Sequence, residues 1–125
     1  MNTPKTDDGT LLKSTDLFDV GLSNAERERL ALLLEECGEV QQIIGKILRH
    51  GYESTHPNGG PTNRRLLESE LGDFKAALLL ASHNGDVGPN EISAAMMKKL
   101  DKVGGYLHFQ RNIPFSSNSE DHLRA

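Results

Sequence analysis

The chain has 125 residues, of which 36% are hydrophobic, and a formal net charge of −4. This length favours a single domain, and the acidic balance disfavours polymeric nucleic acid and anionic membranes as partners. Cys37 is the only cysteine, which excludes an internal disulfide and a cysteine-based zinc site. Neither a signal-peptide pattern nor a membrane-length apolar stretch is found, so we expect a cytoplasmic protein. Aromatic residues are scarce, so we also expect a homodimer or homotetramer to complete the core.

Residues 1–22 are predicted to form a short N-terminal arm, which four apolar residues would allow to pack as a helix. They are Leu11, Leu12, Leu17 and Phe18. Ser23 and Glu26 then form the pattern of a capping box, which predicts the start of a long helix. Apolar residues recur at three- and four-residue steps as far as Gly51, a residue suited to ending a helix. They are Leu30, Leu33, Leu34, Cys37, Val40, Ile44, Ile47 and Leu48.

Residues 51–61 are predicted to be a loop, because proline, asparagine and glycine crowd together there. Thr62 or Asn63 would cap a second helix, which the Asn84–Gly85 pair would stop. Apolar residues at helical steps support this helix. They are Leu67, Leu71, Phe74, Leu78 and Ala81.

A third helix is predicted from Pro89, which suits a first helical turn, through Leu107. The Gly104–Gly105 pair would weaken it, so we expect a bend or a close contact there. Residues 112–125 have the polar composition of a flexible C-terminal tail. The expected fold is therefore an all-α helical bundle with three main helices, in which residues 23–111 form the domain.

Acidic residues lie beside the apolar stripes of the first two helices. At about 100° per residue, Glu36 and Glu39 are about 60° apart on one flank of the first stripe. Glu35 falls farther round and faces solvent more, so the geometry favours Glu36 over Glu35 as a metal ligand. Glu70 and Asp73 repeat the same spacing on the second helix. If the two helices pack through their apolar stripes, these four acids converge.

Four carboxylates that converge would repel one another, so their negative charge would have to be offset. Each close pair would repel by about 1 kcal/mol in water and about 4 kcal/mol at an effective dielectric constant of 20. Raised pKa values, basic partners or hard divalent cations would offset this repulsion. An all-carboxylate ligand set suits magnesium or manganese rather than zinc or copper. The alternative interpretation is an ordinary solvated face on each helix.

The two acidic strings resemble a known pair of motifs. Glu-Glu-Cys-Gly-Glu at 35–39 and Glu-Leu-Gly-Asp at 70–73 are similar to the E-E-x-x-E and E-x-x-D motifs of the MazG-like, all-α nucleoside triphosphate pyrophosphatases. The string at 46–51 resembles the end of the family's first motif helix, and the string at 62–67 resembles the approach to its second. The resemblance is strong over residues 30–80 and weak over the third helix. The interval between the two motifs is at or beyond the long end of the family's range.

The resemblance implies an enzyme that cleaves a (d)NTP to a (d)NMP and pyrophosphate with Mg²⁺, or Mn²⁺, as cofactor. The metal ligands would be Glu36, Glu39, Glu70 and Asp73. Glu36 and Glu39 would also count as catalytic, together with Glu35, which would orient or deprotonate the attacking water. Basic and polar residues would contact the substrate. They are Lys46, Arg49, His50, Asn63, Arg64, Lys98, Lys102 and Tyr106.

Other interpretations stay open at this point. The lysines and arginines would equally well serve as ordinary surface residues, and Asn63 as a helix cap. A phosphoribosyl-ATP pyrophosphohydrolase, whose acidic motifs are related, is the closest enzymatic alternative. The non-enzymatic alternative is a helical interaction or regulatory module whose acids face solvent.

Overall fold

A computed structural model of the chain describes residues 20–115. Three helices follow one another along this part of the chain, α1 (Asn24–His50), α2 (Asn63–His83) and α3 (Pro89–Val103). The described residues form no strand beyond an isolated bridge between Thr55 and Thr62, so the all-α prediction is confirmed. No helix within 20–115 is both long and apolar enough to cross a membrane. The predicted N-terminal arm, apart from its last residues, and most of the predicted tail lie outside the described residues.

Local sequence signals set both ends of α1. The Glu26 backbone N–H donates to Ser23 Oγ at 3.1 Å, and the Ser23 backbone N–H donates to Glu26 Oε2 at 2.6 Å. This reciprocal pair is the predicted capping box, which satisfies two backbone donors at the helix start. At the other end, Gly51 has φ 84° and its N–H donates to the Ile47 carbonyl at 2.7 Å. Glycine adopts this positive φ without the strain that a side chain would cause.

The loop after α1 is fastened to the start of α2. Thr62 is the cap, since its Oγ1 accepts from the Arg65 N–H at 3.3 Å. Asn63 is instead buried, with 7% of its surface exposed, and its Nδ2 donates to the Gly51 carbonyl at 3.0 Å. Backbone bonds from Asn63 N–H to Ser54 and from Arg64 N–H to Tyr52 close the loop further. The predicted loop is confirmed, and these bonds fix the distance between the two ends it joins.

The chain divides into two compact units, Met1–Ala77 and Leu78–Ala125. Within the first unit, Ile43 on α1 and Ala77 on α2 are buried, with 4% and 1% of their surface exposed. Each therefore marks the face of its helix that is turned away from solvent. Val40, Ile47 and Phe74 of the predicted apolar stripes flank this face and are half-buried. The other expectation for α1 is wrong, because Leu30, Leu34, Ile44 and Leu48 are exposed and the buried Ile43 was not in the predicted stripe.

The second unit contains the end of α2 and the whole of α3. Asn84 donates from its side chain to the Leu80 carbonyl at 2.8 Å, and Gly85 follows with φ 79°, so α2 stops where predicted. Helix α3 begins at Pro89 as predicted but ends at Val103. The expectation that it continues through Leu107 is wrong. Two consecutive glycines follow Val103, and their backbone entropy outweighs the apolar spacing that continues past them.

Candidate functional site

Two glutamates approach the core because each lies one heptad before a buried residue. Glu36 precedes the buried Ile43 by seven residues, and Glu70 precedes the buried Ala77 by the same interval. Seven residues return a helix to within about 20° of the starting direction. Both glutamates are therefore directed towards the inner faces of α1 and α2, and both are half-buried.

The structure brings carboxylate oxygens from both helices together. Glu36, Glu70 and Asp73 each offer one oxygen, and these three oxygens all lie within 4.8 Å of one another. Glu39 adjoins the group, because its negative charge helps to raise the pKa values of both Glu36 and Glu70. We refer to Glu36, Glu39, Glu70 and Asp73 as the acidic cluster. These are the four residues for which the sequence predicts convergence.

Two oxygens of the acidic cluster are not stabilised by a hydrogen bond from any described residue. Glu36 Oε2 and Glu70 Oε2 are shielded from solvent and have no hydrogen-bond partner among the described residues. A polar atom in that position loses its hydration and gains nothing in return. Asp73 and Glu39 are exposed, so one side of the cluster is open to solvent.

The cluster raises the pKa of two of its members. Desolvation is the largest cause of the raised pKa of Glu36, and the negative charges of Glu39, Asp73 and Glu35 add to it. The pKa of Glu70 is raised first by a side-chain hydrogen bond with Glu39 and then by desolvation. Without a cation, the cluster therefore retains protons more strongly than separate glutamates would.

The residues predicted to contact substrate around the first two helices differ in whether their side chains already have a partner in this structure. Lys46, Arg49 and His50 are exposed on the last turns of α1. Arg64 is engaged instead, because its guanidinium contacts Glu53 Oε1 at 2.6 Å. The same guanidinium lies 4.5 Å from the centre of the Tyr52 ring.

The loop explains these contacts. Asn63 and Arg64 both have partners in the segment that precedes α2, so their polar groups fasten that segment in this structure. Sequence reasoning missed the partners Tyr52 and Glu53. No periodicity could have found them, because they lie in a loop outside any helical repeat.

The remaining predicted contacts belong to the second unit. Lys98 and Lys102 are exposed on α3. Tyr106 lies beyond the end of that helix, so the prediction that it continues the four-residue steps of the lysines on one helical edge is wrong. The lysine whose ammonium lies over the Tyr106 ring is Lys99, at 5.2 Å from the ring centre. The early end of α3 at the glycine pair accounts for the difference.

Comparisons with known proteins give no relative for this chain. No family model matches it, and neither the curated proteins nor the solved structures provide a match.

Proposed function

We propose that this chain is a divalent-metal-dependent nucleotide pyrophosphohydrolase that cleaves a (d)NTP to a (d)NMP and pyrophosphate. The observation that carries the proposal is the acidic cluster, in which three carboxylate oxygens from two helices lie within 4.8 Å of one another. Two solvent-shielded oxygens without hydrogen-bond partners, on Glu36 and Glu70, add to it. The motif resemblance supplies the reaction, since carboxylates alone do not specify a substrate.

The donor set fits a hard cation. Glu36 and Glu70 would direct their shielded oxygens to the metal, and the more exposed Glu39 and Asp73 would complete the ligand set from the open side. Oxygen ligands of this kind suit Mg²⁺ or Mn²⁺. When bound, such an ion neutralises phosphate charge and makes water a better nucleophile at neutral pH. The same ion would offset the repulsion among the four carboxylates.

Basic residues on the same side of α1 as Glu39 would bind the phosphates that face away from the metal. On a helical wheel, Lys46 and His50 both fall within about 20° of the direction of Glu39, towards the C-terminal end of α1. Both side chains are exposed, so an anionic substrate can reach them. Arg49 lies about 80° from Glu39 on the wheel and is not assigned to this role. Lysine contacts phosphate as a point charge and needs no paired geometry.

The test is pyrophosphate release by the full chain from a panel of NTPs, dNTPs and phosphoribosyl-ATP, with Mg²⁺ or Mn²⁺. Glu39→Gln and Glu70→Gln should each reduce the rate by about 100-fold or more, because each removes part of the charge that holds the cation. Release from phosphoribosyl-ATP alone would assign the substrate of the related pyrophosphohydrolases.

Glu68→Gln is the matched control. Glu68 lies on α2 about 160° round the helix from Glu70, and its carboxylate forms a surface ion pair with Arg65 at 2.9 Å. Loss of such a pair has little effect on stability, so this variant should keep the wild-type rate. If the wild type releases no pyrophosphate from any member of the panel, the proposal is wrong and a helical interaction module becomes the better interpretation.

A further inference from the structure

Two asparagine-glycine pairs lie among the described residues. Asn58 and Gly59 are in the loop before α2, and Asn84 and Gly85 directly follow α2. All four residues are exposed. Glycine has no side chain to hinder the approach of the asparagine side chain to the backbone nitrogen between them. Both pairs are therefore candidates for the same intramolecular reaction.

The reaction converts an asparagine into an acidic residue. The glycine backbone nitrogen loses its proton to a base in the solvent and attacks the asparagine Cγ. The N–Cγ bond forms, the Cγ–Nδ2 bond breaks, and the side-chain nitrogen takes up a proton and leaves as ammonia. Water then opens the cyclic imide at either carbonyl, which gives aspartate or isoaspartate. The net change consumes one water, releases one ammonia and adds one negative charge at neutral pH.

The backbone is closely similar at the two pairs. Gly59 has φ 87° and Gly85 has φ 79°. The Gly59 N–H donates to the His56 carbonyl at 2.8 Å, and the Gly85 N–H donates to the Ser82 carbonyl at 3.1 Å. An added Cβ at either glycine would meet nothing within 4 Å. The attacking nitrogen therefore makes one turn hydrogen bond and has open space around it in both places.

The two asparagine side chains differ. Asn84 Nδ2 donates to the Leu80 carbonyl at 2.8 Å, which holds the side chain back along α2 and away from the Gly85 nitrogen. The Asn58 side chain has no hydrogen-bond partner among residues 20–115, although its backbone N–H donates to His56 Nδ1 at 3.1 Å. Asn84 must break a hydrogen bond before it reacts, whereas the Asn58 side chain rotates freely.

The tip of the loop that carries Asn58 is separated from the base of the loop. Thr55 and Thr62 form a bridge, so residues 56–61 project beyond it. The hydrogen bonds that join residues 51–54 to the start of α2 lie on the other side of the bridge. A change at the tip therefore leaves those hydrogen bonds in place.

We infer that Asn58 is a site of spontaneous deamidation, in which the Gly59 nitrogen displaces ammonia, and that its hydrogen bond to Leu80 protects Asn84. This inference goes beyond the proposed activity and does not depend on it, since it uses neither the acidic cluster nor a nucleotide. The loop before α2 is then the place where the chain gains negative charge as the protein ages.

The test is peptide mapping of the full chain by mass spectrometry, before and after incubation in a mildly alkaline buffer. Aspartate and isoaspartate at each position are separated from the remaining asparagine and quantified. Asn58 should deamidate about fivefold faster than Asn84, or more, because only Asn84 must break a side-chain hydrogen bond. Equal rates, or a faster reaction at Asn84, would overturn the inference.

The same mapping in concentrated guanidinium separates the effect of the fold from that of the sequence. Neither side chain is held in the unfolded chain, so the ratio of the two rates should fall towards one. A ratio that is equal in the folded and unfolded chains would mean that neighbouring residues set the rates, and the protection assigned to the Leu80 carbonyl would be wrong.

A matched pair of variants tests the position without peptide mapping. Asn58→Gln should remove most of the acidic species that isoelectric focusing detects after incubation, because the longer side chain closes a ring less readily. Asn84→Gln should leave them at the wild-type level. If Asn58→Gln acquires acidic species as fast as the wild type, the deamidation occurs elsewhere and the inference is wrong.

Discussion

Glu36 and Glu70 each have one oxygen that is shielded from solvent and has no hydrogen-bond partner among residues 20–115. Each belongs to a carboxyl group whose pKa is raised, in one case mainly by desolvation and in the other mainly by a hydrogen bond with Glu39. Both causes favour the protonated form in the folded state. The unfolded chain does not hold these protons, because its carboxyl groups are separated and hydrated.

This difference predicts how the stability of the metal-free protein depends on pH. Above the ordinary glutamate pKa of about 4.3, the folded state binds more protons than the unfolded state. The free energy of unfolding should therefore fall as the pH rises from that value through the raised pKa values of Glu36 and Glu70. Urea denaturation midpoints in the presence of a chelator, measured at intervals from pH 5 to pH 8, would show this fall.

A Glu36→Gln/Glu70→Gln double variant provides the control, because glutamine does not titrate and lies in the same place. Its midpoint should fall less between pH 5 and pH 8 than that of the wild type. If the two proteins lose stability in parallel, the decrease comes from groups outside the acidic cluster.

Among the helices, α1 carries Glu36 and Glu39 of the acidic cluster, and its start depends on two side chains. The Ser23 hydroxyl accepts from Glu26 N–H, and the Glu26 carboxylate accepts from Ser23 N–H. We expect Ser23→Ala to lower the free energy of unfolding by about 0.5–2 kcal/mol, because a backbone donor loses its acceptor. Chemical denaturation monitored by circular dichroism would measure this.

Ser69→Ala is the matched control for the Ser23→Ala substitution in the cap. Ser69 is exposed in the interior of α2, where alanine has the higher helix propensity, so stability should stay the same or rise by a few tenths of a kcal/mol. Equal effects of the two substitutions would mean that the capping box does not stabilise α1.

For the whole molecule, the proposed metal site links cation binding to global stability. A ligand that binds only the folded state at 100 times its Kd adds about 2.7 kcal/mol to the free energy of unfolding. We expect Mg²⁺ or Mn²⁺ at such concentrations to raise the melting temperature near neutral pH by several degrees. Differential scanning calorimetry against a chelated sample would measure the shift without reference to any substrate.

Two variants make this measurement specific. Glu70→Gln should abolish most of the shift, and Glu68→Gln should preserve it, since only the first belongs to the acidic cluster. A wild type whose melting temperature does not respond to either cation would contradict the metal site, whatever its activity.

Much of the helical structure follows from interactions between residues three or four apart. The capping box at Ser23, the glycine after His50 and the glycine after Asn84 each act on the nearest helix end, so the sequence predicts those ends. The same periodicity predicts that Glu36 and Glu70 lie on flanks of apolar stripes. The end of α3 was missed because apolar spacing continues past Val103, whereas backbone entropy stops the helix there.

The tertiary structure decides what depends on the path of the chain between helices. The sequence predicts Asn63 and Arg64 as substrate contacts, with a helix cap and a solvated cation as the alternative. The loop supplies Gly51 and Glu53 as their partners in this structure. The separation of the acids was likewise not fixed by their spacing within either helix. It depends on how the loop positions α1 and α2, because Glu36 comes from one helix and Glu70 and Asp73 from the other, and their oxygens meet only in the folded chain.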